Sequence, residues 1–184
     1  MMNIIINIDK SFILQESIIR SNYNSRKLEK FKNKISNFLN NHKEVFEKIY
    51  EITGLKWNIK ILNIWVFEGK QRTIPNPFLL NVEDYDFEHC IFELIHMLIH
   101  IIFQDNHVYW KFEKNKGING TDLEATTYFI TKIIFNNLFS EKSMKRVLLL
   151  SEESGFRKYI WDRVKDLEKV QNIKELLKMD SISF

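Results

Sequence analysis

One stretch of the chain carries a line of titratable side chains on an otherwise apolar background. His89, Glu93, His96 and His100 recur at intervals of three, four and seven residues. On a helix, at about 100° per residue, these four positions fall within an arc of about 60°. His96 and His100 stand at i and i+4, which places their imidazole rings side by side and close enough to share one metal ion. The spacing therefore indicates a metal site.

The same line could instead be the solvated face of a helix. Against that interpretation, the other predicted helices use Lys, Glu, Asn and Ser on their polar faces, whereas this line holds three of the chain's five histidines. The rest of the circumference is apolar, which indicates a helix that is buried on most sides. We predict this helix over Phe87 to Gln104, with Asp84 or Asp86 as its N-cap.

Two elements near the start of the chain are predicted from the period of the apolar residues. β-branched residues from Asn3 to Ile8 indicate a strand. Three-and-four spacing sustained from Ser25 to Ile52 indicates one long amphipathic helix. Thr53-Gly54 is expected to end that helix, because glycine is favoured just past helix ends.

Two extended segments follow the long helix. Lys56 to Phe67 alternates and then becomes apolar on both faces, which indicates either one strand that runs from half-covered to buried or two strands joined at a bulge. Thr73 to Leu80 is also extended but carries Pro75 and Pro77. Because proline cannot donate a hydrogen bond to a sheet, this segment is expected to be an edge strand or a strand-like loop.

The C-terminal part is predicted to be helical. Asp105 to Gly120 is polar and indicates a loop, and Thr121 is expected to cap a helix from Asp122 to Leu138. Three more helical segments are predicted at Glu141–Leu150, Phe156–Val170 and Ile173–Met179. The expected fold is α+β, with a long N-terminal helix, a small mixed sheet and segregated helices. We expect a single domain, 1–184. Its core is predicted to span about 25–138, and a helical extension about 139–184.

Composition narrows the classes of function. The net charge is only +3, and Lys and Glu are mixed along the helices, which disfavours nucleic-acid binding. Cys90 is the only cysteine, so neither an internal disulfide nor a multi-thiolate metal site is expected. Because the longest apolar stretch is too short to span a bilayer and no signal peptide is evident, we expect a cytoplasmic protein with no membrane partner.

The histidine segment resembles a known motif. Phe92-Glu93-Leu94-Ile95-His96 matches the His-Glu-x-x-His motif of zincin metallopeptidases at Glu93 and His96. Asp122-Leu123-Glu124-Ala125 is similar to the setting of the third ligand in the gluzincin branch, and the order of elements over 25–138 is similar to that of a minimal gluzincin. The resemblance implies a zinc-dependent hydrolase that acts on peptides or proteins, with His96, His100 and Glu124 as zinc ligands and Glu93 as general base.

This sequence departs from the family at Phe92, which cannot bind a metal and stands where the motif has its first histidine. In one interpretation, zinc is held in a shifted register by His96, His100 and Glu124. In a second, His89 joins His96 and Glu124, although it lies two helical turns from His96. In a third, the domain is a catalytically inactive, degenerate zincin that has lost its metal and keeps the fold to bind a protein partner or for regulation.

Other residues are candidates for different or supporting roles. Glu93-x-x-His96 is also half of a carboxylate-bridged di-iron motif, but no second Glu-x-x-His occurs, which disfavours that site. His107 and Tyr128 could steady an oxyanion as accessory residues, although core packing is the favoured interpretation of Tyr128. Pro75 to Leu80 could bind an extended peptide by strand addition, or be an ordinary edge that its prolines protect.

Overall fold

A computed structural model describes residues 3–8, 25–68, 73–75, 78–82, 86–108, 120–152 and 155–167. The strands in these ranges are β1 (Asn3–Ile8), β2 (Ile61–Phe67), β3 (Ile74–Pro75) and β4 (Phe78–Asn81). The helices are α1 (Ser25–Asn41), α2 (Glu44–Thr53), α3 (Phe87–Asp105), α4 (Gly120–Leu138), α5 (Glu141–Glu152) and α6 (Gly155–Leu167). The predicted α+β class is confirmed.

The four strands form one small mixed sheet in the order β1-β2-β4-β3. β1 and β4 both pair with β2 in parallel, with Ile6 opposite Ile64 and Val66 opposite Leu80. β3 pairs antiparallel with β4. Parallel neighbours require a long crossover, and α1 and α2 occupy the chain between β1 and β2.

The proline-containing segment is split between an edge and the interior of the sheet. Pro75 lies in β3, at the edge, as predicted. The prediction is wrong for β4, which lies between β2 and β3. The physical reason is that Phe78, Leu79 and Leu80 are apolar and buried, so this part of the segment pairs on both sides. Pro77 lies outside the described residues.

The predicted long helix is two helices. α1 ends at Asn41 and α2 begins at Glu44, so the single helix over Ser25 to Ile52 is wrong at this break. Asparagine competes with the helical backbone through its side chain, and the break directly follows Asn40-Asn41. The predicted stop is confirmed, because α2 ends at Thr53 and Gly54 adopts a positive φ of 72°.

The second strand is shorter than predicted, beginning at Ile61 instead of Lys56. Contacts with the C-terminal end of α3 replace the sheet pairing of residues 56–58. The N–H of Asn58 donates to the Asp105 carboxylate at 2.7 Å, and the Asn106 side chain donates to the carbonyl of Lys56 at 2.9 Å. Because the N–H of Asn58 and the carbonyl of Lys56 already have hydrogen-bond partners, they do not need partners on a neighbouring strand.

Later helices follow the predictions closely where they are described. α3 and α5 match the predicted segments within two residues, and α6 begins one residue before the predicted start. α4 begins at Gly120, so Thr121 lies in its first turn and is not its N-cap. Asp84, the loop segment 109–119 and the last predicted helix at 173–179 lie outside the described residues.

The chain divides into two compact units, Met1–Lys43 with Ile59–Leu98 and Glu44–Asn58 with Ile99–Phe184. In the first unit, α1 contacts β1 and β2 and its buried side chains are Leu28, Ile35, Phe38 and Leu39. In the second unit, α4 contacts α2, α5 and α6. The single-domain organisation stays a prediction.

Among the described helices, α3 is the one that is long and apolar enough to cross a membrane. Within the fold, 83% of its apolar window is buried. Such burial is what the core helix of a folded domain shows, so the length and hydropathy of α3 do not by themselves indicate a membrane span.

Candidate metal centre

Helix α3, which carries the line of titratable residues, is fixed at both ends. Asp86 is its N-cap, as predicted, because its carboxylate accepts the N–H of His89 at 2.9 Å. At the other end, the Asn106 side chain donates to the carbonyl of Ile102 at 2.9 Å. His107 follows with a left-handed φ of 57°, the conformation that closes many helix ends. The side chains between these caps are therefore held by a well-defined helix.

The four titratable residues on α3 are buried, so the line is not a solvated face. The exposed fractions are 1% for His89, 6% for Glu93, 1% for His96 and 8% for His100. Burying polar groups costs free energy unless they bind one another, the backbone or a metal. The four residues on this line therefore carry a desolvation cost, which distinguishes them from an ordinary polar helix face.

Three predicted ligands come together at one place. Nε2 of His100 on α3 lies 3.1 Å from Oε2 of Glu124 on α4. One ligand atom from each of His96, His100 and Glu124 lies within 4.8 Å of the others. Ligands of a tetrahedral zinc ion stand about 3.3 Å apart, so small side-chain adjustments would bring all three within reach of one ion. Among the described residues, this is the one cluster of three or more such ligands.

The three ligands differ in their access to solvent. His96 is fully buried, and the side chain of His100 is 10% exposed, whereas that of Glu124 is 25% exposed. Water can therefore approach the cluster from the Glu124 side. This combination of buried imidazoles and a partly open carboxylate is compatible with a metal that keeps one coordination position for water.

Glu124 is positioned by the first turns of α4. Asp122 lies in the first turn, where a negative charge interacts favourably with the helix dipole. The Asp122 carboxylate accepts a hydrogen bond from Nε of Arg163 at 2.7 Å. One turn later, the hydroxyl of Thr126 donates to the carbonyl of Asp122 at 2.7 Å. These contacts fix the backbone on both sides of Glu124.

Glu93, the predicted general base, is paired along its own helix. Its Oε1 lies 3.6 Å from Nε2 of His89, and both side chains are buried. Glu93 is one turn before His96 on the same face, but it does not belong to the ligand cluster. The structure therefore places it next to the candidate metal site, as a neighbour of the ligands.

His89 is distant from the carboxylate ligand. It precedes His100 by three helical turns, about 16 Å along the helix axis, whereas Glu124 lies beside His100. The structure therefore does not bring His89 into a cluster with His96 and Glu124. Its described partner is Glu93.

Phe92 and Met97 are buried members of the apolar part of α3. Phe92 is 0% exposed and Met97 is 7% exposed. Phe92 precedes His100 by about 12 Å along the helix axis. With Glu124 placed beside His100, position 92 is too far along the helix to contribute to the same site. The two histidines that lie close to Glu124 are therefore His96 and His100.

The two accessory candidates, Tyr128 and His107, make contacts that are typical of a structural role. The Tyr128 ring is 6% exposed and packs on Trp161, with ring centroids 5.3 Å apart. This contact supports the core-packing interpretation. His107 is exposed and closes the end of α3, where its N–H donates to the carbonyl of Gln104 at 3.0 Å. Neither residue belongs to the ligand cluster.

Cys90 is a buried thiol and does not contribute to the cluster. Burial, together with the nearby carboxylates of Asp86 and Glu93, raises the pKa of the Cys90 thiol to about 12. The thiol therefore stays protonated at neutral pH and cannot act there as a thiolate ligand or nucleophile.

Sequence reasoning missed the contact between Asp122 and Arg163. The two residues are 41 positions apart, and Arg163 lies among other charged residues on α6. No motif or spacing distinguishes it there. Only the packing of α6 against α4 shows that this arginine contacts the turn that precedes Glu124.

Comparison with known proteins gives no relative: the chain matches no protein-family model, no curated protein and no solved structure. The resemblance to zincins therefore depends on the residues themselves, and it stays an expectation.

Proposed function

We propose that this chain is a zinc-dependent hydrolase, similar to a minimal gluzincin peptidase, in which His96, His100 and Glu124 bind the metal. The observation that carries the proposal is the convergence of these three ligands within 4.8 Å from two different helices. Two imidazoles and one carboxylate are a donor set used by catalytic zinc sites, which leave the fourth position to water. The proposed substrate is a peptide or protein.

Zinc, when bound, supplies Lewis-acid polarisation of a carbonyl and lowers the pKa of a water molecule. The protein contributes a buried pair of imidazoles and a carboxylate that solvent can reach. Burial of His96 and His100 strengthens electrostatic interactions at the site by excluding water on the α3 side. The partly exposed Glu124 marks the side from which a substrate would enter.

Glu93 is the proposed proton acceptor. It lies on the same face of α3 as His96, one turn earlier, and its Oε1 lies 3.6 Å from Nε2 of His89. A buried carboxylate beside an imidazole has a partner that can orient it and stabilise its charge. In this proposal Glu93 takes the proton from water and His89 positions Glu93.

A second candidate function is a non-catalytic, metal-binding module that binds a protein partner. The observation that favours it is the residue after His96, because Met97 is buried and cannot act as a base. In this alternative the metal joins α3 to α4 and stabilises the fold, and the pair of His89 and Glu93 has only a structural role.

Peptide cleavage by zinc-loaded, tag-free protein distinguishes the two functions. The products of a mixed peptide pool would be identified by mass spectrometry. The hydrolase proposal predicts cleavage that Glu93→Gln lowers by at least about 100-fold without loss of zinc, because general base catalysis contributes that much. His96→Ala should lose both zinc and cleavage. His107→Asn removes an exposed imidazole outside the cluster and should retain both.

Zinc retention with no cleavage by the wild type would reject the hydrolase and support the structural module. Absence of zinc binding by the wild type would reject both and would leave the metal-free, inactive domain as the remaining interpretation. Circular dichroism of each variant shows whether its helices are intact, so that a loss of activity can be assigned to the site.

A further inference from the structure

The ion pair between Asp122 and Arg163 joins the start of α4 to α6. Nε of Arg163 lies 2.7 Å from Oδ1 of Asp122. The Asp122 side chain is 19% exposed and that of Arg163 is 48% exposed, so the contact is partly shielded at its acidic end. Arg163 also lies 3.7 Å from Asp166 on its own helix, where both side chains are largely exposed.

The first turn of a helix is its least constrained part. Its initial N–H groups have no partners within the helix, and helix ends fray more readily than helix centres. Glu124 is only four residues after Gly120, the first residue of α4. Its side chain can stay 3.1 Å from His100 only while this turn remains wound. A contact that fixes the first turn therefore also fixes a proposed metal ligand.

The backbone of Arg163 is itself held by packing. Ile160, Trp161, Val164 and Leu167 on α6 are buried, and the Trp161 ring contacts the Tyr128 ring on α4. Arg163 lies between the buried residues Trp161 and Val164 in sequence. The packing of these neighbours therefore fixes the backbone that carries its guanidinium. The arginine can act on the first turn of α4 because the apolar contact between the two helices holds it there.

We infer that Arg163 is a positioning residue for the metal centre: by binding Asp122 it keeps the first turn of α4 wound and holds Glu124 in place as a ligand. This inference rests on the proposed metal site. It makes α6, in the C-terminal part of the chain, a determinant of metal affinity although α6 supplies no ligand to the cluster.

Zinc affinity measured by competition with a chromophoric chelator tests this inference. Because a half-exposed ion pair contributes little, Arg163→Met should weaken zinc binding by about two- to fivefold. Asp122→Asn should weaken it to the same degree, and the double variant should be no weaker than either single variant. Arg163→Lys keeps the charge and should recover part of the affinity.

Asp166→Asn is the matched control, because it removes the other ion pair of Arg163 and leaves the contact with α4 intact. Its zinc affinity should equal that of the wild type. Cobalt substitution adds a readout of the coordination itself: the absorption of bound Co²⁺ should change in Arg163→Met and stay unchanged in Asp166→Asn. A role confined to stability would alter unfolding and leave this absorption unchanged.

The outcomes separate this inference from the proposed function. If the wild type binds zinc and Arg163→Met and Asp122→Asn bind it equally well, Arg163 does not position the site and only this inference fails. If the two single variants weaken binding additively, the residues act independently and the inference also fails. If the wild type binds no zinc at all, the proposed metal site is rejected and the inference fails with it.

Discussion

His100 on α3 and Glu124 on α4 approach to 3.1 Å, imidazole nitrogen to carboxylate oxygen. The two helices thus meet through a polar contact that lies next to a third potential ligand, His96. Because a hydrogen bond and shared metal coordination both bring such atoms close together, the contact is compatible with either. Experiments on these side chains can then decide what the contact does.

The buried pair of His89 and Glu93 predicts separate effects on stability and on metal binding. Replacing His89 by Leu removes the imidazole that lies 3.6 Å from a buried carboxylate, and we expect a loss of about 1–3 kcal/mol in the free energy of unfolding. Zinc stoichiometry should not change, because His89 lies three turns from His100. Urea unfolding and elemental analysis measure the two quantities.

The double replacement of His89 and Glu93 by Leu is the control for this pair. It removes both polar groups, so most of the lost stability should return. Loss of zinc in the His89→Leu variant would instead make His89 a ligand. An unchanged free energy of unfolding would show that the pair contributes little.

Restoring the family motif should not improve the site. Phe92→His creates His-Glu-x-x-His, but position 92 is about 12 Å from His100 along the helix axis, and Glu124 lies beside His100. We expect zinc affinity within about twofold of the wild type, and a stability loss of about 2–4 kcal/mol because Phe92 is fully buried. Chelator competition and urea unfolding provide these values. Zinc binding at least ten times tighter would show that the family register can operate and would contradict the shifted one.

Much of the local structure could be predicted because its causes are local. The caps at Asp86 and Gly54 act within one helical turn, and the spacing of His96 and His100 defines one helix face. The prediction of Glu124 as a ligand likewise used only its residue type and its position in the sequence. Such features require no knowledge of which distant segments meet.

The parts that could not be predicted depend on contacts between distant segments. β2 begins late because Asp105 and Asn106 bind the backbone of residues 56–58, across 47 and 50 positions of sequence. Arg163 acquires its partner Asp122 only when α6 packs on α4. In the same way, hydropathy alone could not show that the titratable line on α3 is buried.

The Cys90 thiol predicts a change of stability in alkaline solution. Its ordinary pKa is 9.0, and burial and the carboxylates raise the folded-state value to about 12. Above pH 9 the unfolded chain loses this proton while the folded chain keeps it, so ionisation favours unfolding. The contribution of the Cys90 thiol to the free energy of unfolding is complete below pH 9. It declines by about 1.4 kcal/mol per pH unit between pH 9 and the folded-state pKa.

Urea unfolding of the wild type and Cys90→Ala at pH 8, 9 and 10 isolates this contribution, since lysine and tyrosine titrate in both proteins. The stability advantage of the wild type over the variant should shrink between pH 9 and 10. A constant difference across that range would show that the folded-state pKa of Cys90 is not raised. Alkylation of the thiol at pH 8 should likewise require unfolding.

The central claim is that His96, His100 and Glu124 bind one metal ion together. The most direct measurement is elemental analysis of tag-free protein, purified without chelators and equilibrated with zinc, for the wild type and for His96→Ala, His100→Ala and Glu124→Ala. We predict about one zinc per chain in the wild type and in His107→Asn, and almost none in the three ligand variants. Wild-type protein without zinc, or ligand variants that retain it, would contradict the claim.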